Sequence, residues 1–203
     1  MKKSVFDPRE QEEDVSAKIV IGLERISQAF KVLLWDKAKT LGLSPIQIQI
    51  LIFLAYHNSS LCHVSYLAKE FNVTKPTISD AIRVLEKKGL ILKDFSSVDN
   101  RSYTIVLTPA GKKRVGETED FMTPLTKQVD MLGKQEKEQL FNSLGKLIYQ
   151  LNQNGVLTVQ RTCFACKYYQ EQDKHHFCNL LKRELMDDHI RLDCPEFQSN
   201  GHH

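Results

Sequence analysis

The chain has 203 residues, with 28 lysines and arginines against 25 aspartates and glutamates, a formal charge of +3, 41% hydrophobic residues and five cysteines. Folding at this length can bury roughly 70% of the unfolded surface, so a core forms without disulfides, and the hydrophobic share excludes a disordered chain. Apolar stretches such as Ile48 to Tyr56 carry polar interruptions and fall short of the ~20 residues of a membrane span, and the N-terminus turns acidic after Lys2-Lys3 where a signal peptide needs an apolar stretch, which predicts a cytoplasmic protein.

From Ile19 to Leu41, Ile19, Leu23, Ile26, Phe30, Leu33/Leu34 and Leu41 recur in steps of three and four and build one stripe along a long helix that Gly42 ends. Ser44-Pro45 reads as a cap with proline in the first turn, followed by IQIQILIFLAY. The Ile-Gln alternation also fits a strand, but the Ser-Pro start and the length favour a helix. Val64, Leu67, Ala68 and Phe71 stand at helical spacing, Asn72-Val73 is a tight turn, and Thr74 caps KPTISDAIRVLEKKG, with Ile78, Ala81/Ile82 and Leu85 inward and Gly89 closing it. Leu90 to Leu92 and Tyr103 to Leu107 flank the polar tip SSVDNRS as a β-hairpin. Thr108-Pro109 then caps a helix expected to continue through Phe121, Leu125, Val129 and Leu132, with a kink or new start at Pro124. A last helix, from about Lys134 to Asn152, presents Leu140, Leu144, Leu147 and Leu151 on one face before Asn154-Gly155. Phe30, Trp35 and Phe53 are assigned to the core, since aromatics at helical spacing usually pack.

Two short helices joined by about four residues form a helix-turn-helix, and the hairpin after them forms a wing. In such a module the second helix enters the major groove. Thr74 and Lys75 are placed for phosphate, Pro76, Thr77, Ser79 and Arg83 take the outward positions, Thr77 suits a thymine methyl, and Arg83 suits a bidentate guanine contact. Asp80 either accepts from cytosine or orients Arg83. At the wing tip Arg101 is a planar cation fit for a narrow minor groove, with Asp99 to orient it. Residues 44 to 111 hold seven basic groups (Lys69, Lys75, Arg83, Lys87, Lys88, Lys93, Arg101) against five acidic ones, in keeping with a polyanionic partner.

The order helix, helix, helix, hairpin with Asp-x-Arg-Ser, then Leu-Thr-Pro-x-Gly is more specific than any single element. On VSYLAKEFNVTKPTISDAIRVLEKKGLI, DNRS and LTPAG the sequence resembles the MarR family of bacterial winged-helix transcriptional regulators, over roughly residues 15 to 154. The resemblance implies a homodimer whose first and last helices interleave, reading a pseudo-palindromic operator on double-stranded DNA, with a small-molecule effector held between the dimer helices and the DNA-binding lobe. The long apolar stripes agree, since they exceed what one winged helix covers. The expected fold is therefore mainly α with a small β-wing: an N-terminal dimerisation helix (1–43), a winged helix-turn-helix domain (44–111), C-terminal dimerisation helices (112–154) and a Cys-rich tail (155–203). The function expected is a DNA-binding regulator of the repressor kind rather than an enzyme, because no phosphate-binding glycine loop, nucleophile elbow or paired acid-base carboxylates occur.

The tail departs from the plain family pattern. It carries Cys163-x2-Cys166-x11-Cys178-x15-Cys194, followed by proline, in a segment of 41 residues with five basic and seven acidic groups. Four thiols led by a Cys-x2-Cys hook suit one metal centre, which supplies the folding energy so short a segment lacks. Zinc is the first choice, a [4Fe-4S] cluster the second, and a redox disulfide or free thiols the remainder. Phe164, Tyr168, Tyr169, Phe177 and Phe197 are available to screen a cluster; His175, His176 and His189 are competing ligands, read first as solvated or supporting because four cysteines suffice. Cys62 is read as a buried small hydrophobe, with a thiol sensor as the lesser reading. Competing functions are a metal-centre protein-protein adaptor and an iron-sulfur electron-transfer protein.

Overall fold

The computed structural model describes residues 4–96, 103–172, 175–186 and 189–199. A short helix α1 (Pro8–Glu13) leads into α2 (Val15–Leu41), which starts earlier than its apolar stripe because the Asp14 carboxylate accepts from the Ser16 N–H at 2.8 Å. Gly42 ends it at φ +61°, and the Leu43 N–H reaches back to the Ala38 carbonyl at 3.0 Å, the six-to-one bond of a left-handed cap. The chain then turns by 90° into α3 (Pro45–Tyr56). The Ile-Gln alternation is helical: Gln47 is buried and its Oε1 accepts from the Ser44 N–H at 3.0 Å, so the glutamine that mimicked a strand position caps the helix.

Ile48, Ile50, Leu51 and Phe53 make α3 the centre of the core. Around it lie α4 (Val64–Glu70) and α5 (Lys75–Lys87), which contribute Leu67, Ala68, Ile78, Ala81, Ile82 and Leu85, and the wing strands β1 (Ile91–Asp94) and β2 (Thr104–Leu107), which contribute Ile91 and Ile105. The strands pair antiparallel with Ile91 opposite Leu107 and Asp94 opposite Thr104. A contact not foreseen in the sequence attaches the wing: the Ile105 N–H donates to the Cys62 carbonyl at 2.8 Å, so the short 3-10 turn Ser59–Leu61 leads the chain alongside β2.

After β2, Thr108 caps α6 (Pro109–Gly116), its Oγ1 accepting from the Gly111 N–H and donating to the Gly89 carbonyl. The helix expected to run on through Phe121 stops instead at Gly116, and α7 (Thr123–Asp130) is a separate element. Buried Thr118 bonds the Val115 carbonyl through both its N–H and its hydroxyl, consuming an acceptor that a continuing helix needs. Residues 119–121 then reach sideways: Glu119 accepts from the Tyr56 hydroxyl, Asp120 pairs with Lys37, and Phe121 meets Phe30 edge-on at 5.8 Å. Pro124 sits in the first turn of α7, as its missing N–H favours.

Helix α8 (Lys134–Gln153) follows, with Glu136 accepting from the Gly133 N–H. The stripes on α2 and α8 stay largely uncovered in the single chain: Ile19 is 52% exposed, Ile26 51% and Leu140 42%, and only Ala17, Leu34 and Ala38 of α2 are buried. Trp35 is also exposed, at 55%, so its assignment to the core is corrected: it stands on the outer side of α2, whereas Phe53 is core and Phe30 is partly covered by Phe121.

The tail forms a 3-10 turn at Cys163–Ala165 and a three-stranded antiparallel sheet, β3 (Tyr169–Gln172), β4 (His175–Cys178) and β5 (Arg183–Leu185), in that order. Cys163, Leu185 and Ile190 are its buried centre, packed by Phe164, Tyr169, Cys178 and Phe141 of α8. Gly145 of α8 lies under Phe164 and Leu192, where a Cβ would stand 3.4 and 3.6 Å from their rings and methyls, so the tail rests on its own chain's last long helix.

Candidate nucleic-acid interface

Helix α5 separates two chemistries by face. Ile78, Ala81, Ile82 and Leu85 are buried; Thr74, Lys75, Pro76 and Thr77 are exposed at the amino end, and Ser79 is half-buried rather than fully outward. Thr74 is the cap: its Oγ1 accepts from the Thr77 N–H at 3.3 Å and lies 2.8 Å from the Thr77 hydroxyl. The sharp approach to this end depends on Asn72, at φ +51°, and on the Val73 N–H bonding the Ala68 carbonyl at 3.0 Å. One turn on, Arg83 and Asp80 form an exposed ion pair of 2.9 Å. At the carboxyl end Lys88 Nζ donates to the Gly42 carbonyl at 3.1 Å, joining α5 to the end of α2.

The wing base is braced by Lys93, which pairs with Glu86 at 2.7 Å and lies 5.4 Å over the Tyr103 ring. Asp94 accepts from the Ser96 N–H, and the Ser96 hydroxyl first and this N–H second hold its carboxyl below the usual carboxylate range. Asp99 and Arg101 lie outside the described residues.

The residue that sequence reasoning missed is Arg161. Its guanidinium makes a double fork: Nη1 and Nη2 donate to Glu70 at 2.6 and 3.0 Å, and Nε and Nη2 donate to Asp193 at 2.5 and 3.1 Å. Nη1 also donates to the Tyr66 hydroxyl at 2.9 Å, and the cation stands 5.6 Å over the Phe53 ring. Burial opposes its charge, but the bonds to Glu70 and Asp193 outweigh burial and hold the guanidinium above its ordinary range. His57, stacked on Phe53 at 3.9 Å, places Nε2 2.8 Å from Asp193; this contact and the Arg161 fork hold the Asp193 carboxyl well below the usual range. One arginine thus ties the tail to α3 and α4. Its partners lie 91 and 32 residues away in sequence, a separation at which no periodicity or cap signals a pair.

All four tail cysteines are free thiols, and the backbone gathers them. The Cys166 N–H bonds the Cys163 carbonyl at 2.9 Å, closing the hook, and the Tyr169 N–H bonds the Cys166 carbonyl at 2.9 Å. Cys178 lies opposite Tyr169 in the β3–β4 register. The segment around Cys194 runs beside the one around Cys163: Cys194 N–H to Arg161 carbonyl, and Cys163 N–H to Arg191 carbonyl, each 3.0 Å. The Arg191 N–H also donates to the Cys163 sulfur at 3.2 Å. Burial pushes the Cys163 thiol up, and Cys194, Cys166 and Cys178 all add to the rise, so the other three lie within its electrostatic reach. Among the described residues no group of three or more His, Cys, Asp or Glu side chains is placed to hold a metal ion. The histidines have other partners: His175 contacts Glu184 at 2.6 Å, His176 the Tyr169 hydroxyl at 2.6 Å, and His189 the Met186 N–H at 3.3 Å.

Residues 41–102 match the profile of the MarR family. Among solved structures the chain is similar to S. aureus MepR in its DNA-binding conformation, with 27% identity and a TM-score of 0.58 over 66% of this chain and 98% of that one. It is similar to the S. aureus MepR–DNA complex at 26% identity and a TM-score of 0.57, over 68% of this chain and 99% of that one. A MarR transcriptional regulator from Methanosarcina mazei Go1, at 21% identity and a TM-score of 0.54 over 68% of this chain and 96% of that one, shares the fold. No curated protein sequence matches the chain. Among the described residues no single helix is long and apolar enough to cross a membrane.

Proposed function

We propose that this chain, whose residues 41–102 carry a MarR-family module, is a sequence-specific DNA-binding transcriptional regulator, acting in the cytoplasm as a homodimeric repressor. The observation that carries the reading is α5, an amphipathic helix with a buried apolar face and Lys75, Thr77 and Arg83 turned outward from a capped amino end. Likeness to a regulator solved both in a DNA-binding conformation and with DNA supports it. In this reading Thr74 and Lys75 hold phosphate at the helix end, Thr77, Ser79 and Arg83 read base edges, and Arg101 with Asp99 serves the minor groove. The exposed Asp80–Arg83 pair keeps the guanidinium extended before DNA arrives, at a small cost when Arg83 turns to guanine.

The uncovered stripes of α2 and α8 are the homodimer surface in this reading. A cleft of about 360 Å³ between α4, α8 and the tail, bordered by Tyr66, Tyr149, Phe164 and Phe197, is the seat assigned to a small-molecule effector. Metal or redox responsiveness is assigned to Cys163, Cys166, Cys178 and Cys194.

The test is fluorescence anisotropy on DNA from the protein's own promoter region across a salt series. Arg83→Ala is expected to cost about 1–3 kcal/mol on the operator and to relax specificity, whereas Arg101→Ala weakens operator and non-specific DNA more evenly. Affinity unchanged by both variants overturns the DNA-reading assignment and leaves an adaptor or electron-transfer function.

A further inference from the structure

The tail and the helix-turn-helix meet at one buried arginine, and that arginine is wired into the cysteine cluster by backbone bonds. Arg161 precedes Cys163 by two residues, and its own carbonyl accepts the Cys194 N–H. Asp193, its carboxylate partner in the tail, immediately precedes Cys194, and Arg161 and Asp193 are bridge partners in the parallel pairing of the two segments. On the other side, the same guanidinium holds Glu70 and Tyr66 of α4 and lies over Phe53 of α3. A constraint on Cys163 and Cys194 is therefore a constraint on the arm that grips α3 and α4.

We propose that Cys163, Cys166, Cys178 and Cys194 bind one thiophilic divalent cation of the zinc class, and that through Arg161 and Asp193 this ion holds the helix-turn-helix in its DNA-competent placement. Four thiols are the donor chemistry such an ion prefers. Two thiols come from one tight turn closed by the Cys166 N–H, one from the end of β4, and one from the segment laid against the first. The Arg191 N–H directed at the Cys163 sulfur is the kind of donor that supports a thiolate ligand, because it offsets part of the negative charge four sulfurs accumulate. Binding deprotonates the thiols and draws the sulfurs to about 2.3 Å from the ion in a tetrahedron. Among the described residues no three of these side chains are yet placed to hold an ion, so binding one must draw the paired Cys163 and Cys194 segments together and with them set Arg161 and Asp193.

The coupling deepens the DNA-binding reading and rests on it, so the experiment separates the two. Full-length protein purified under reducing conditions is analysed for metal and titrated by anisotropy on promoter DNA, before and after exposure to a chelator and after zinc is restored. The expected result is one zinc per chain, loss of that zinc in Cys178→Ser and Cys194→Ser, and an affinity for DNA that falls about tenfold on chelation and returns with zinc. Cobalt in place of zinc should give the visible absorption of a tetrahedral thiolate site. Arg161→Lys keeps the charge but loses the double fork; it should retain zinc, bind DNA about tenfold more weakly, and show little further change on chelation. Glu70→Gln, on α4 and outside the tail, is the second variant and should behave likewise. An iron-sulfur chromophore, a disulfide between these cysteines in place of metal, or the absence of metal overturns the site. Metal bound by the four cysteines with DNA affinity indifferent to chelation overturns the coupling. Failure of every metal state to bind promoter DNA, with zinc still bound, overturns the DNA-binding reading and leaves the metal site standing.

Discussion

At the scale of single residues the fold uses glycine for two separate reasons, and they predict different costs. Gly111 lies where a Cβ would stand 2.0 Å from the Leu90 carbonyl oxygen, so even alanine must push the start of α6 away from the wing. Gly42 has open space around it but a φ of +61°, so alanine there meets only backbone strain. Gly111→Ala is expected to destabilise by about 3 kcal/mol or more and Gly42→Ala by about 1 kcal/mol, read from urea midpoints at constant m-value. Equal midpoint shifts for the two contradict this account. Cys62 gives a second residue-level prediction. Burial pushes its thiol up to about 11, so at pH 8 only about 0.1% is thiolate, and iodoacetamide followed by mass spectrometry should leave it unlabelled until denaturant is added. Rapid labelling in the native protein would show that the site opens.

At the scale of elements, legibility in the sequence followed the range of the forces involved. Ser44-Pro45, Thr74 and Thr108-Pro109 mark helix starts because a cap bonds within three residues of itself, and each stands where its local pattern places it. The new start at Pro124 was legible, but the early end of α6 at Gly116 was not, because it depends on Glu119, Asp120 and Phe121 finding Tyr56, Lys37 and Phe30 from far along the chain. Trp35 failed for the related reason that a helical stripe says which residues share a face and leaves open what covers that face. The candidate site divides in the same way: the outward residues of α5 follow from its period, whereas Arg161 could be found only in three dimensions. The uncovered stripe of α2 carries its own prediction. Ile26→Glu puts a charge amid Ile19, Leu23 and Phe30, and should turn a dimer into a monomer in light scattering while helical circular dichroism persists. A dimer that survives the substitution places the interface elsewhere.

At the scale of the whole molecule, the net charge of +3 is a poor guide to what DNA meets, because cations differ in how far they are already spent. Arg161 is neutralised by Glu70 and Asp193, and Lys93 by Glu86, whereas Lys75 stands at the exposed end of α5. Removing the tail after residue 154 therefore should subtract little DNA-facing charge. It should cost stability, because Glu70 and Tyr66 lose their cation and Phe141 loses its cover. A loss of about 1–3 kcal/mol in denaturant unfolding, with the helical spectrum retained, is the expected outcome. An unchanged midpoint means that the docking seen between tail and helices adds nothing to the folded state.

The Lys88 ammonium on the Gly42 carbonyl gives α2 a mechanical meaning. With 27 residues at ~1.5 Å each, α2 is a rod about 40 Å long whose carboxyl end is pinned to α5. A tilt of about 5° at one end of such a rod displaces the other by about 3.5 Å, close to the ~3.4 Å rise of one base-pair step. In the proposed dimer the angle at which two copies of α2 cross thus acts as a vernier, converting small rotations at the protein interface into whole steps of operator spacing.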